Sequence, residues 1–135
     1  SNTKLDTTEM SNPYIVEDVC LLQDSPLRIF KCAQNGNAKE VARIIKSDPT
    51  RLHARNPQGQ MPLHVAASKG HLVVVEVIVE AKADLDAVDN QGNTVLHLAI
   101  IAESPDIVTL LMKSGANVSV RNNAHMMPVH VAAQL

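Results

Sequence analysis

The residues most capable of chemistry in this chain are its six histidines and two cysteines. Three histidines, His64, His97 and His130, recur at intervals of 33 residues, and regular histidine spacing invites a metal-binding reading. The spacing argues against it. One histidine per repeated unit puts neighbouring rings about one helix-packing distance apart, roughly 10 Å, whereas an ion such as zinc holds its nitrogens at about 2 Å. His53, His71 and His125 fall on turns and show no ligand spacing. Cys20 and Cys32 could pair, but two cysteines are few for a disulfide scaffold, so reduced thiols are the expectation. Cys32 is expected to be buried and inert. Cys20 lies outside the repeats and is more reachable, without an adjacent Lys, Arg or His to lower its pKa. No Gly-rich phosphate loop occurs, no Ser/His/Asp set has a strand–turn–helix context, and no carboxylate pair would line a cleft. The expectation is a protein that is not an enzyme and takes no metal or cofactor. Asn117, Val118 and Ser119 match a glycosylation acceptor and are read as a chance match in a turn.

The elements that place these residues follow from composition and period. A length of 135 residues suits one domain with a modest core. With 12 basic and 14 acidic residues and a formal charge of −2, the chain lacks the basic excess of a nucleic-acid or anionic-membrane binder. It has no apolar run long enough to cross a bilayer and no signal-peptide pattern at its start. Apolar residues make up 45%, yet there is one Tyr, one Phe and no Trp, so the core must be Leu, Val, Ile and Ala. Small side chains suit closely stacked helices.

The unit is visible in the sequence. "GQMPLHVAA", "GNTVLHLAI" and "HMMPVHVAA" share one register, as do "ADLDAVDNQG" and "ANVSVRNNAH". A fainter copy, "RIFKCAQNGNAKEVARII", aligns one residue short, and the loop "SDPTRLHA" restores the register so that Leu52 corresponds to Leu85. Pro62 is expected at a first helical position, with Gly70 ending that helix in the left-handed conformation. A second helix should follow from about Leu72 to Ala81, although "LVVVEVIVE" is β-branched and reads locally as a strand. Glu103 replaces the equivalent glycine one repeat on, so that turn is expected to be made differently. Ser104 is the expected cap of the next helix, with Pro105 first and Asp106 near its positive end. Ser25 and Pro26 are expected to cap and begin the first helix. The apolar stretch from Tyr14 to Leu22 is expected to cover the open face of the first repeat.

Period, spacing and residue types together make the chain resemble the ankyrin-repeat family over residues 25–135. That resemblance implies an all-α solenoid of stacked helix–turn–helix units with β-turn fingers. About three and a half repeats are expected: a tail and capping segment at 1–24, a degenerate first repeat at 25–55, repeats at 56–88 and 89–121, and the first half of a fourth at 122–135. The chain is expected to be a fragment truncated at its C-terminal end, since nothing there resembles a polar cap. In this family the repeated histidine hydrogen-bonds backbone and fixes the finger, which gives His64, His97 and His130, with the finger residues Gly59 and Gly92, structural roles. Threonine usually precedes the helix. Only Thr94 keeps it, so Met61→Thr is expected to stabilise by roughly 0.5–1 kcal/mol.

The family binds proteins through its concave side. By register, the candidate positions are Gln58, Gln60, Ser68, Lys69, Asn90, Gln91, Asn93, Ile101, Ala102, Asn123, Ala124 and Met126. Val73, Glu76 and Glu80 form a solvated convex stripe. The degraded first repeat, its longer loop and "RNNAHMMPVHVAAQL" also resemble the N-terminal repeats of transient receptor potential channels of the ankyrin subfamily, of the invertebrate type. This implies a cytosolic arm ahead of six membrane helices in a tetrameric cation channel. None of that family's reactive cysteines carries over. The alternative is a soluble adaptor or inhibitor. Expected partners are a protein or neighbouring repeats of the same chain, with no nucleic acid and no membrane contact by this segment. Weak self-association through the open C-terminal end is expected, in a cytoplasmic location.

Overall fold

The computed structural model describes residues 27–134. The expectations for Tyr14 to Leu22, Cys20, Ser25, Pro26 and Leu135 fall outside them. Seven α-helices and one 3-10 turn are present among the described residues, with no strand. They are α1 (Arg28–Asn35), α2 (Ala38–Ser47), the 3-10 turn Pro49–His53, α3 (Pro62–Ser68), α4 (Leu72–Glu80), α5 (Val95–Ile101), α6 (Pro105–Lys113) and α7 (Pro128–Gln134).

Two rows of helices result. The inner row is α1, α3, α5 and α7, each packed on the next. The outer row is α2, α4 and α6, each also packed on the inner helix of its own repeat. The inner helices α3 and α5 bury nearly every side chain. Leu63, His64, Ala66 and Ala67 in α3 and Val95, His97 and Ala99 in α5 are closed to solvent. Alanine at 66, 67 and 99 keeps adjacent inner helices close, which an aromatic side chain would prevent.

The β-branched segment α4 is helical. Val74, Val75 and Ile78 form one buried face, and Val73, Glu76 and Glu80 the exposed one. Burial of three large aliphatic side chains, worth about 1.5–3 kcal/mol each, outweighs the few tenths lost per residue to helix propensity. Leu52 is buried in the 3-10 turn, where Asp48 accepts from Thr50 N at 3.1 Å and from Arg51 Nε at 3.1 Å. The extra loop residue is thus absorbed while Leu52 still reaches the core.

Several local expectations need correction. Glu103 does not change the turn: it adopts the same left-handed conformation as Gly70, with φ 55 against 74. Two hydrogen bonds explain this. Ser104 N donates to Ala99 O and His71 N to Ala66 O, equivalent closures that demand the same backbone. Ser104 holds the cap position of α6, but its hydroxyl makes no cap and instead donates to Ala102 O at 3.5 Å. Met61 is 2% exposed, so its side chain fills core volume that a threonine would leave empty. The stabilisation expected for Met61→Thr is therefore reversed in sign. Helix α1 begins at Arg28, with Leu27 at its cap position. Cys32 is fully buried as expected but is not a reduced thiol; it is disulfide-bonded.

Candidate functional site

The fingers between the helix pairs carry most of the candidate partner-binding positions, and one polar device builds each finger. Asn56, Asp89 and Asn122 hold the same place in successive repeats. Each directs its Oδ1 at two backbone N–H groups across the turn: Gln58 and Gln60 at 3.0 and 2.9 Å, Gln91 and Asn93 at 2.9 and 3.0 Å, and Ala124 and Met126 at 2.9 and 3.0 Å. The backbone closes the same hairpin, with Asn56 N donating to Gln60 O at 3.0 Å and its counterparts doing likewise. Asparagine and aspartate suit such turns because a short side chain can reach its own backbone two residues on. The reading from sequence did not single these residues out, although their spacing by one repeat was available to find them.

The histidines join a finger to a helix. His64 Nδ1 accepts from Met61 N at 3.0 Å, and its Nε2–H donates to Ala87 O of the next finger at 3.0 Å. His97 repeats this with Thr94 N at 3.1 Å and Met126 O at 2.8 Å. An N–H faces Nδ1 and a carbonyl faces Nε2, so the neutral Nε2–H tautomer is set by its partners. Burial holds the His64 pKa below its usual 6.5, opposed by the bond to Ala87. His130 keeps the local bond, Met127 N to Nδ1 at 3.2 Å, but is exposed and its Nε2 has no partner among the described residues. No group of three or more potential ligands is arranged to hold a metal ion there either.

Adjacent fingers are laced together. Asn90 N donates to Gln58 O at 3.1 Å and Asn123 N to Gln91 O at 2.9 Å. The amide of Asn90 donates to Pro57 O at 3.1 Å, and that of Asn123 to Asn90 O at 3.0 Å. This lacing requires glycine at 59 and 92: a Cβ at Gly59 would lie 2.2 Å from Asn90 Oδ1, and one at Gly92 2.6 Å from Asn123 Oδ1. Arg55 donates to Gly59 O and Val88 O at 2.7 and 2.6 Å, tying two fingers at their base.

The candidate set therefore divides. Asn93 is 6% exposed, not on the surface, and its Oδ1 accepts from Asn122 at 2.9 Å. Gln60 accepts from Asn56 at 3.3 Å, and Ser68 donates to Val65 O at 2.9 Å. Met126 is half-buried, and its backbone serves His97 and Asn122. Gln58, Lys69, Gln91, Asn123, Ala124 and Ile101 are exposed, with Ile101 at 48%, and Ala102 is partly so. The amide-rich character of the set was legible in sequence, but its engagement with the neighbouring finger was not.

A second feature lies at the C-terminal end. An open apolar groove of about 380 Å³ runs between Leu96, Ile100, Val108, Met112, Val118, Met127 and Val129. One repeat earlier, the corresponding space is filled by α6, whose Ile107 and Leu111 are fully buried.

Stacked helix pairs, laced fingers and a backbone-bonded histidine in both α3 and α5 define an ankyrin solenoid. The family model for ankyrin repeats (three copies) matches residues 29–122, and the chain belongs to that family. It is 33% identical over 114 residues to E3 ubiquitin-protein ligase KEG of Arabidopsis thaliana, covering 77% of this chain and 7% of that protein. It is 37% identical over 94 residues to ankyrin repeat and SAM domain-containing protein 6 of Mus musculus, covering 69% and 11%. It is 35% identical over 79 residues to the probable 26S proteasome regulatory subunit p28 of Saccharomyces cerevisiae, covering 57% and 35%. The chain thus spans a minor part of each relative's length. None of these three is a transient receptor potential channel, and no helix among the described residues is long and apolar enough to cross a membrane.

Proposed function

We propose that this chain is a non-catalytic interaction module that binds a protein partner on its concave face. The observation that carries this reading is Ile101, an aliphatic side chain 48% exposed at the end of an inner helix and followed by the part-exposed Ala102, on a face whose fingers expose the polar residues Gln58, Gln91 and Asn123. Apolar anchors ringed by polar groups concentrate binding energy in protein interfaces. Gln58 and Lys69 add side chains for which no hydrogen bond among the described residues competes. The test is a pull-down with the Ile101→Asp and Gln58→Ala variants alongside the parent chain. A partner retained equally by both variants sinks the reading.

Weak self-association through the C-terminal groove is a second proposal, favoured by the exposure of Met112, Val118 and Val129 around it. Light scattering across a wide concentration range tests it, and a monomer throughout removes it. The narrower reading as an arm of a sensory cation channel rests on the pattern of the first repeat and its loop. The adaptor or inhibitor reading competes with it. Translating the native transcript past residue 135 separates them: six apolar spans of about 20 residues support the channel, and an array without them supports the adaptor.

A further inference from the structure

The chain's charges are segregated along the solenoid. Residues 27–55 hold seven Lys and Arg against two Asp and Glu, while residues 72–113 hold two against seven. The near-neutral total conceals both blocks. On α2 the exposed cations are Lys39, Arg43 and Lys46, which share one face at helical spacing. One shared internal carboxylate offsets only part of this charge. Glu40 is the one carboxylate on α2, and it is shared by the guanidinium groups of Arg28 and Arg43, with Arg43 Nε at 3.0 Å. Those bonds, the one from Arg43 foremost, hold the Glu40 carboxyl below its usual range against the opposing effect of burial. Lys39 and Lys46 make no ion pair among the described residues.

We propose that this outer face of α2 is a second docking surface, taken by an acidic polypeptide segment of a partner protein. The dimensions select that class. At about 1.5 Å per residue, Lys39 to Lys46 spans roughly 10 Å, with Arg43 about 6 Å from Lys39. An extended peptide rises about 3.3 Å per residue, so its alternate side chains on one face lie roughly 6.6 Å apart, close to the cation spacing. The stripe is also only one helix wide. The next outer helix, α4, packs beside it and exposes Glu76 and Glu80. A flat anionic bilayer or a nucleic acid pressed onto the stripe would meet those carboxylates across its width, whereas a single acidic strand running along α2 meets α4 only at its near edge. Val73 occupies on α4 the position that Lys39 holds on α2, and it is 59% exposed. It offers an aliphatic contact beside the cations, so the fitting ligand carries several Asp or Glu and one apolar side chain.

The experiment measures fluorescence anisotropy of a labelled ten-residue peptide, rich in Glu and Asp with one Leu, against the full chain. Parallel titrations use vesicles containing phosphatidylserine and a single-stranded DNA. The altered residues are exposed, and circular dichroism checks that each variant stays helical. The expected result is saturable peptide binding, weakened at least tenfold by K39E/K46E and at least fivefold by raising salt from 50 to 300 mM, because exposed charge pairs are screened. V73S should weaken it about twofold. Peptide binding indifferent to K39E/K46E overturns the proposal. So does lysine-dependent binding of the vesicles or DNA. Absence of peptide binding overturns it as well, including the case in which the chain's own acidic residues 1–24 already fill the stripe.

Discussion

Glu103 offers a direct test of how the repeat register governs the backbone. It holds the left-handed conformation, φ 55, where Gly70 serves in the preceding repeat. A residue with a Cβ in this conformation costs about 1–2 kcal/mol. Replacing it by glycine removes that cost but adds unfolded-state freedom worth about 0.5–1 kcal/mol. The net expectation for Glu103→Gly is a gain of about 0.5–1 kcal/mol. Loss of the charge contributes little, since Glu103 follows the negative end of α5 and precedes the positive end of α6, and the two helix-dipole effects oppose each other. Glu103→Ala isolates the backbone term, because it removes the charge and keeps the Cβ. Urea unfolding followed by circular dichroism at 222 nm is the assay. In a domain of this size the glycine variant should also melt about 2–6 °C higher, with the alanine variant near the parent. Equal stability of the glycine and alanine variants would refute the argument that backbone strain resides at this residue.

The other expectations are of the same kind. Met61→Thr gains a cap worth about 1 kcal/mol but empties a site where removing a buried Met side chain costs about 2–5 kcal/mol; the urea midpoint should fall, by the equivalent of about 1–4 kcal/mol. Gly59→Ala places a Cβ 2.2 Å from Asn90 Oδ1 and 3.0 Å from Asn90 N, so it should cost more than about 2 kcal/mol, at the upper end for a single substitution. Gly115→Ala, at φ 96 with nothing within 4 Å of the new Cβ, should cost only the backbone term of about 1 kcal/mol; chemical denaturation of both variants should preserve this order. The pH dependence follows from His64. Its pKa is depressed in the fold, so the unfolded chain takes up the proton first. This contribution is complete above pH 6.5 and declines as pH falls below it, and a His64→Gln variant should show a flatter unfolding midpoint between pH 7 and 5.

The solenoid was legible because its signal is redundant. His64, His97 and His130, the Pro62 start and the Gly70 stop each mark the same register, and that register predicted a helix at α4 against local propensity. Positions where one repeat uses a different residue from the next were harder to read. Glu103 looked like a different turn because residue type was weighed above the two hydrogen bonds that impose the conformation. Met61 looked like a missing cap because its burial is a property of the neighbouring helices. Asn93 looked like a surface amide because its partner, Asn122, lies one finger away. Charge was averaged over the whole chain, which hid the opposite blocks in the first repeat and in residues 72–113.

These misses share a physical cause. In this fold most side chains that decide stability complete their contacts one repeat away: His64 at Ala87, His97 at Met126, Asn90 at Pro57 and Gly59 against Asn90. Such a chain behaves as a series of nearest-neighbour interfaces rather than as one core. The inner helices α3 and α5 have a repeat on either side, and their histidines bond both their own helix start and the next finger. For α7 only the preceding repeat is described, and there His130 is exposed with one ring nitrogen engaged and Val129 is 62% exposed. The same sequence motif therefore yields a closed core position in α3 and an accessible surface in α7. What separates them is the neighbour and not the residues themselves, so a partner that supplies a carbonyl to His130 and an aliphatic face to the groove would complete the repeat.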